Sequence, residues 1–208
     1  TCISWRGTPI AKARDFFDKE FIVGGTAGES LATSIPRALN RMANARFKIV
    51  TGYTVSTDIM LAMERGELQG FCSIGWTFLK LRKPEWLAEK KINVLFQMAF
   101  EKHPDIPDVP LVQELVRTQE DRQTLDYMLA PQDMGRPFFA PPDIPRERAD
   151  ALRAAFMKTM ADPDFLRDAE RAGVEVTPTT GEAVRDLVAR AYGTPAEIVK
   201  RASALLQN

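Results

Sequence analysis

Residues 21–30, FIVGGTAGES, constrain what this chain can fold into more than any other stretch. An apolar run, Phe21-Ile22-Val23, passes into glycines, hydroxyls and then a segment of helical spacing. A strand that hands over to a helix through such a turn is a βα unit. The turn exposes backbone N–H groups suited to an anion, either a carboxylate or a phosphate. Glycine in a βα turn also has a purely geometric use, so the turn by itself assigns no ligand.

The same pattern recurs twice. A strand over 47–50 runs into Thr51-Gly52-Tyr53-Thr54-Val55-Ser56, and a helix is expected over 57–65, with Ile59, Met60 and Met63 as its core stripe and Gly66 as its stop. A strand over 68–73 then runs into Gly75 and Trp76. In open α/β sheets ligands gather at the carboxyl ends of strands, so three such loops reinforce one another. Ser73 and Trp76 are candidate lining residues on that ground, with packing as the alternative use of the indole.

The remaining expectations follow in chain order. A strand end lies within 1–5, and a short helix over 10–19 turns Phe16 and Phe17 inward. The helical spacing of 31–42 is interrupted by Pro36, with Ser34 placed to cap a restarted helix. Short helices are expected over 76–82 and 84–88, and a buried strand over 92–97. Residues 103–110 form a proline-fixed connection, with Asp105 and Asp108 as solvated charges and His103 as a loop residue. Helices over 111–118 and 120–129 and a last strand over 136–140 follow. From Pro145 onward the pattern is helical only: Leu152, Phe156 and Met160 share a face, Asp162-Pro163 restarts the chain and Gly173 stops it. Thr179 with Glu182, and Thr194 with Glu197, read as capping boxes.

Composition narrows the function classes. With 28 Lys plus Arg against 28 Asp plus Glu, no global field points to nucleic acid or an anionic membrane. Neither a transmembrane run nor a signal peptide is visible, and the first residue, Thr1, reads as that of a mature form, a processed product or a fragment. Metal chemistry is not expected, because the sequence has no histidine pair, cysteine cluster or DxDxDG loop. Cys2 and Cys72 lack metal-ligand spacing, and the sequence leaves a disulfide and a pair of buried thiols both open. Hydrolysis is a minor alternative. Gly28 to Ala32 is a near match to a nucleophile elbow with Ser30 as nucleophile, but the sole histidine, His103, lies in the proline-fixed loop.

The order of motifs resembles the extracytoplasmic solute receptors of the tripartite tricarboxylate transporter family, from about Thr8 to Leu206. The landmarks are FIVGGTAGES, VTGY at 50–53, LAMERGELQG at 61–70, KPEWL at 83–87 and HPDIPDVPLVQEL at 103–115. They continue through GRPFFAPPDIP at 135–145, ADPDFL ending at Leu166, and TPAEIVKRA at 194–202. Each motif is short, but their order is specific.

The resemblance implies a fold of α/β class, type II periplasmic-binding-protein-like. Residues 8–133 would form the second, ligand-binding lobe, and 134–208 a mostly helical C-terminal part of the first. It implies a periplasmic receptor, not an enzyme, that needs no cofactor and presents a small organic carboxylate to membrane permease subunits. Carried over, the ligand carboxylate falls to Thr26, Ala27, Gly28, Glu29 and Ser30, then to Tyr53 and its neighbour Thr54. The sequence departs from the family where Thr54-Val55-Ser56 stands for a common glycine and Gln69 for a common aspartate. Glu29 would oppose a second carboxylate nearby. The family's segment ahead of the position of Thr1 is missing here, so the apolar faces of the C-terminal part call for a partner surface. An alternative reading is therefore a truncated module that forms a homo-oligomer through that part and binds no solute.

Overall fold

The computed structural model of the chain describes residues 1–26 and 30–206, in two compact units. The first comprises Thr1–Leu129 with Pro195–Asn208, and the second Ala130–Thr194.

The first unit holds five strands: β1 (Cys2–Trp5), β2 (Phe21–Thr26), β3 (Phe47–Tyr53), β4 (Gly70–Cys72) and β5 (Ile92–Phe96), in the order β3-β2-β4-β1-β5. β2 pairs in parallel with β3 and with β4, while β1 is antiparallel to both β4 and β5. Four strands therefore send their carboxyl ends to one edge of the sheet, and only β1 runs the other way. Helices α1 (Asp15–Asp18), α2 (Leu31–Ala43), α3 (Ser56–Glu64), α4 (Trp76–Arg82), α5 (Pro84–Ala88), α6 (Gln119–Asp133) and α10 (Ala196–Leu206) surround it, with α6 reaching into the second unit.

Period-two alternation divides the core between the two faces of the sheet. Phe21, Val23 and Phe47 join Phe16, Ile35, Leu39, Leu125 and Leu205 on one face, whereas Ile3 and Phe71 join Ile59, Met63, Leu79 and Trp86 on the other. Gly70 must be glycine, because a Cβ there would collide with the Ile3 carbonyl and the Phe21 ring. Cys2 and Cys72 are cross-strand partners on β1 and β4, both fully buried, and form a disulfide, which decides between the two readings left open by the sequence.

Several local expectations are corrected. Only Asp15–Asp18 is helical within 10–19, because the Asp15 carboxylate accepts the N–H groups of Ala11 (2.7 Å) and Lys12 (2.8 Å) and builds a turn there instead. Phe16 is nonetheless buried as expected, 4.7 Å from the Phe47 ring. α2 runs unbroken through Pro36: Ala32, Ile35, Ala38 and Leu39 are buried along it, and their packing carries the helix past the missing donor. Ser34 therefore caps nothing, and its buried Oγ has no hydrogen-bond partner among the described residues. The segment 111–118 is a 3-10 turn at Val112–Leu115 rather than a helix.

The second unit contains α7 (Arg146–Met160), α8 (Pro163–Arg171) and α9 (Gly181–Tyr192). The strand expected over 136–140 is not formed. Pro137, Pro141 and Pro142 remove donors around it, and every described strand lies in the first unit. Phe138 and Phe139 are instead 85% and 84% exposed. Asp162 caps α8 through the N–H groups of Asp164 and Phe165, as its proline neighbour suggests. The cap of α9 is Thr180 rather than Thr179, and the Thr194 hydroxyl donates to the Arg190 carbonyl rather than capping α10.

α10 closes the first unit. Its Ile198, Ala202 and Leu205 are buried, Arg37 and Arg41 of α2 donate to the carbonyls of Leu206 and Ala204, and Arg201 pairs with Glu120 and Asp121. No helix among the described residues is long and apolar enough to cross a membrane.

Candidate ligand site at the carboxyl edge of the sheet

β2, β3 and β4 each deliver the chain into a turn and then a helix: α2, α3 and α4. None of these three helices has a side-chain cap at its N-cap residue, Ser30, Val55 or Gly75. Three N-termini with their positive dipole ends thus start just beyond one edge of the sheet, without a side-chain acceptor from their own caps.

The hydroxyls expected at this edge are brought together there. Thr26 ends β2 opposite Tyr53 of β3, its Cα partner. The Thr26 hydroxyl donates to Ser30 Oγ at 2.8 Å, and Ser30 Oγ lies 3.4 Å from Thr33 Oγ1. Thr33 Oγ1 in turn donates to the Thr26 carbonyl at 3.3 Å. Thr33, buried on the first turn of α2, is the member that sequence reasoning missed, although its spacing from Ser30 places the two hydroxyls on one helix face. Gly25 is what lets α2 approach so closely: a Cβ there would meet Thr33 Oγ1 at 2.6 Å and Ile49 Cγ2 at 3.2 Å. Ala27, Gly28 and Glu29 lie outside the described residues.

Tyr53 is half-buried, with Thr54 exposed beside it. Ser73, just past β4, adopts a left-handed φ of 124°, and its N–H and that of Ile74 both donate to the Thr1 carbonyl. Trp76 opens α4, three residues further on, and its indole N–H donates to Asp105 Oδ2 at 3.0 Å. Lys80 Nζ reaches the same oxygen at 2.6 Å, and the Asp105 N–H donates to His103 Nδ1 at 3.1 Å. The Asp105 carboxyl is held below its ordinary range, chiefly by Lys80 and then by Trp76. Asp105 is exposed in its loop, as expected of a solvated charge, and it has in addition two side-chain partners on α4. Ser30 Oγ bonds to hydroxyls, while His103 Nδ1 is engaged within its own loop. No group of three or more metal-ligating side chains occurs among the described residues.

No family model and no curated protein matches the sequence. Solved structures do resemble the fold. A TctC solute binding protein from Polaromonas superposes with a TM-score of 0.65 at 14% identity, over 96% of this chain and 65% of that one. An R. palustris protein solved with adipate gives a TM-score of 0.59 at 13% identity, over 99% of this chain and 64% of that one. MatC from Rhodopseudomonas palustris, with bound malate, gives 0.56 at 17% identity, over 99% and 65%. The chain thus spans just under two thirds of the length of each. At these identities the likeness concerns architecture, and the fold of this chain is the α/β fold of the TctC-type solute-binding proteins.

Proposed function

We propose that the chain is the carboxylate-binding part of an extracytoplasmic solute receptor that captures a small organic acid for a membrane transporter. The observation that carries this reading is the convergence of three helix N-termini without side-chain caps and a hydroxyl cluster at one edge of the sheet. Such an edge binds an anion through N–H and O–H dipoles, with no need for a dedicated arginine. Charge-assisted hydrogen bonds of about 1.5–3 kcal/mol each make two or three of them enough for micromolar affinity after ordering costs.

In this reading Thr26 and Ser30, with Ala27, Gly28 and Glu29 between them, hold one carboxylate oxygen set. Tyr53 and Thr54 approach from β3, and Ser73 and Trp76 from the end of β4. Residues 8–133 form the binding lobe, with 195–208 packed onto it through α10, and the helices between belong to the other lobe. Adipate and malate in two of the similar structures support an acid as the ligand class. The Cys2–Cys72 disulfide supports an oxidising compartment, consistent with the periplasm and with delivery to permease subunits there.

Native mass spectrometry of the purified chain, with and without a mixture of mono-, di- and tricarboxylic acids, tests the reading. A small-acid adduct that disappears in the Thr26→Ala/Ser30→Ala double variant is expected. A stable dimer without any adduct would instead favour a dimerisation module, for which the exposure of Phe138 and Phe139 is the supporting observation.

A further inference from the structure

The 103–110 loop leaves the same edge of the sheet as the candidate site, because β5 runs in the same direction as β2, β3 and β4. Its shape is imposed by Gln97, whose side chain is buried at the end of β5. Gln97 Nε2 donates to the carbonyls of Ile106 (3.0 Å) and Val109 (2.8 Å), and Oε1 accepts the His103 N–H at 2.8 Å. Its backbone also bonds Pro110 and Val112, so both ends and the middle of the loop are tied to one residue. Pro104, Pro107 and Pro110 restrict what remains.

Asp105 is the group this fixed arm presents to α4. It takes the Trp76 indole N–H and the Lys80 ammonium, which lie one helical turn apart on the same face. Two consequences follow. The indole N–H is already committed, so the ring offers a ligand only its carbon surface. The Asp105 charge is matched by Lys80, so it does not repel an incoming anion outright, and the Lys80 ammonium is itself engaged by that carboxylate.

Resting on the receptor reading above, we propose that Asp105 is a positioning residue for ligand choice: it holds Trp76 as an apolar wall beside the carboxylate site and thereby favours acids with an apolar chain over those with a second carboxylate at the far end. Hexanoate and adipate, acids of equal chain length, are the probes, with dissociation constants measured by calorimetry on the intact chain. Asp105→Ala is expected to reduce the hexanoate-over-adipate preference by about tenfold. To keep the freed Lys80 charge out of the comparison, the acceptor is tested in a Lys80→Met background, where Asp105→Asn keeps an acceptor for the indole N–H and should hold the ratio within about twofold of Lys80→Met alone; a drop there as large as that of Asp105→Ala overturns the inference. An unchanged ratio in Asp105→Ala, with both acids still bound, overturns this inference and leaves the receptor reading standing. Failure of the parent chain to bind any acid of the mixture brings down both.

Discussion

Replacing Gln97 by leucine tests how the loop at the carboxyl edge of β5 is held. Leucine nearly preserves volume and leaves the backbone bonds to Pro110 and Val112 in place, so the loss is confined to three side-chain hydrogen bonds of 2.8 to 3.0 Å. Each is worth about 0.5–1.5 kcal/mol net, and the abandoned N–H of His103 and carbonyls of Ile106 and Val109 are all half-buried, which makes the upper half of the range apply. The expected cost is about 3 kcal/mol, a large share of the 5–15 kcal/mol typical of a domain but not enough to unfold most of them. Urea unfolding should show a lowered midpoint at constant slope, and amide exchange should show the His103 N–H losing protection. A loss under about 1 kcal/mol with His103 still protected would refute the reasoning, because it would mean that the prolines alone keep the loop in shape.

Reduction and alkylation of the Cys2–Cys72 disulfide releases a constraint across a sequence separation of 70, worth about 4 kcal/mol of unfolded-chain entropy, and should lower the urea midpoint accordingly; a loss below about 1 kcal/mol would count against that account. Glu64 accepts from Lys83 at 2.8 Å and from the Trp86 indole at 3.0 Å, and its carboxyl is held below the ordinary glutamate range, with Lys83 as the main cause. A lowered folded pKa means stability that is present above the ordinary range and lost as pH falls through the folded value. Glu64→Gln should therefore flatten the fall in stability between about pH 6 and about pH 3, and parallel acid limbs in the two proteins would rule the linkage out.

Much of the fold could be read along the chain because its signals are local. The helices at Trp76–Arg82 and Pro84–Ala88 are bounded by a glycine before one and a proline at the start of the other, and both form over the residues expected. What stayed hidden depended on partners distant in sequence. The reversed direction of β1 and the pairing of Cys2 with Cys72 follow from β4, some 70 residues away, which no spacing rule reaches. Pro36 misled for the opposite reason: its local penalty is real, but the buried stripe of α2 outweighs it. The strand expected at 136–140 fails because Pro137 lies within the stretch, Pro141 and Pro142 follow it, and its unit has no strand among the described residues with which to pair.

The candidate site divides along the same line. Thr26, Ser30, Tyr53, Ser73 and Trp76 were legible as strand-end and turn residues, since the carboxyl edge of a parallel sheet is where such positions collect. Thr33 and Asp105 were not, because neither sits in a turn that follows a parallel strand directly: one lies inside α2 and the other in a loop read only as a spacer. Both act on residues that were legible. Thr33 ties the Ser30 hydroxyl back to β2, and Asp105 engages the indole N–H of Trp76. The strand-end and turn residues proposed to face a ligand are thus announced by local chemistry, while those that engage their donors come from elsewhere in the fold. If the edge binds an acid as proposed, selectivity belongs to the second set, and a change at Asp105 should alter which acid is preferred more than whether an acid is held.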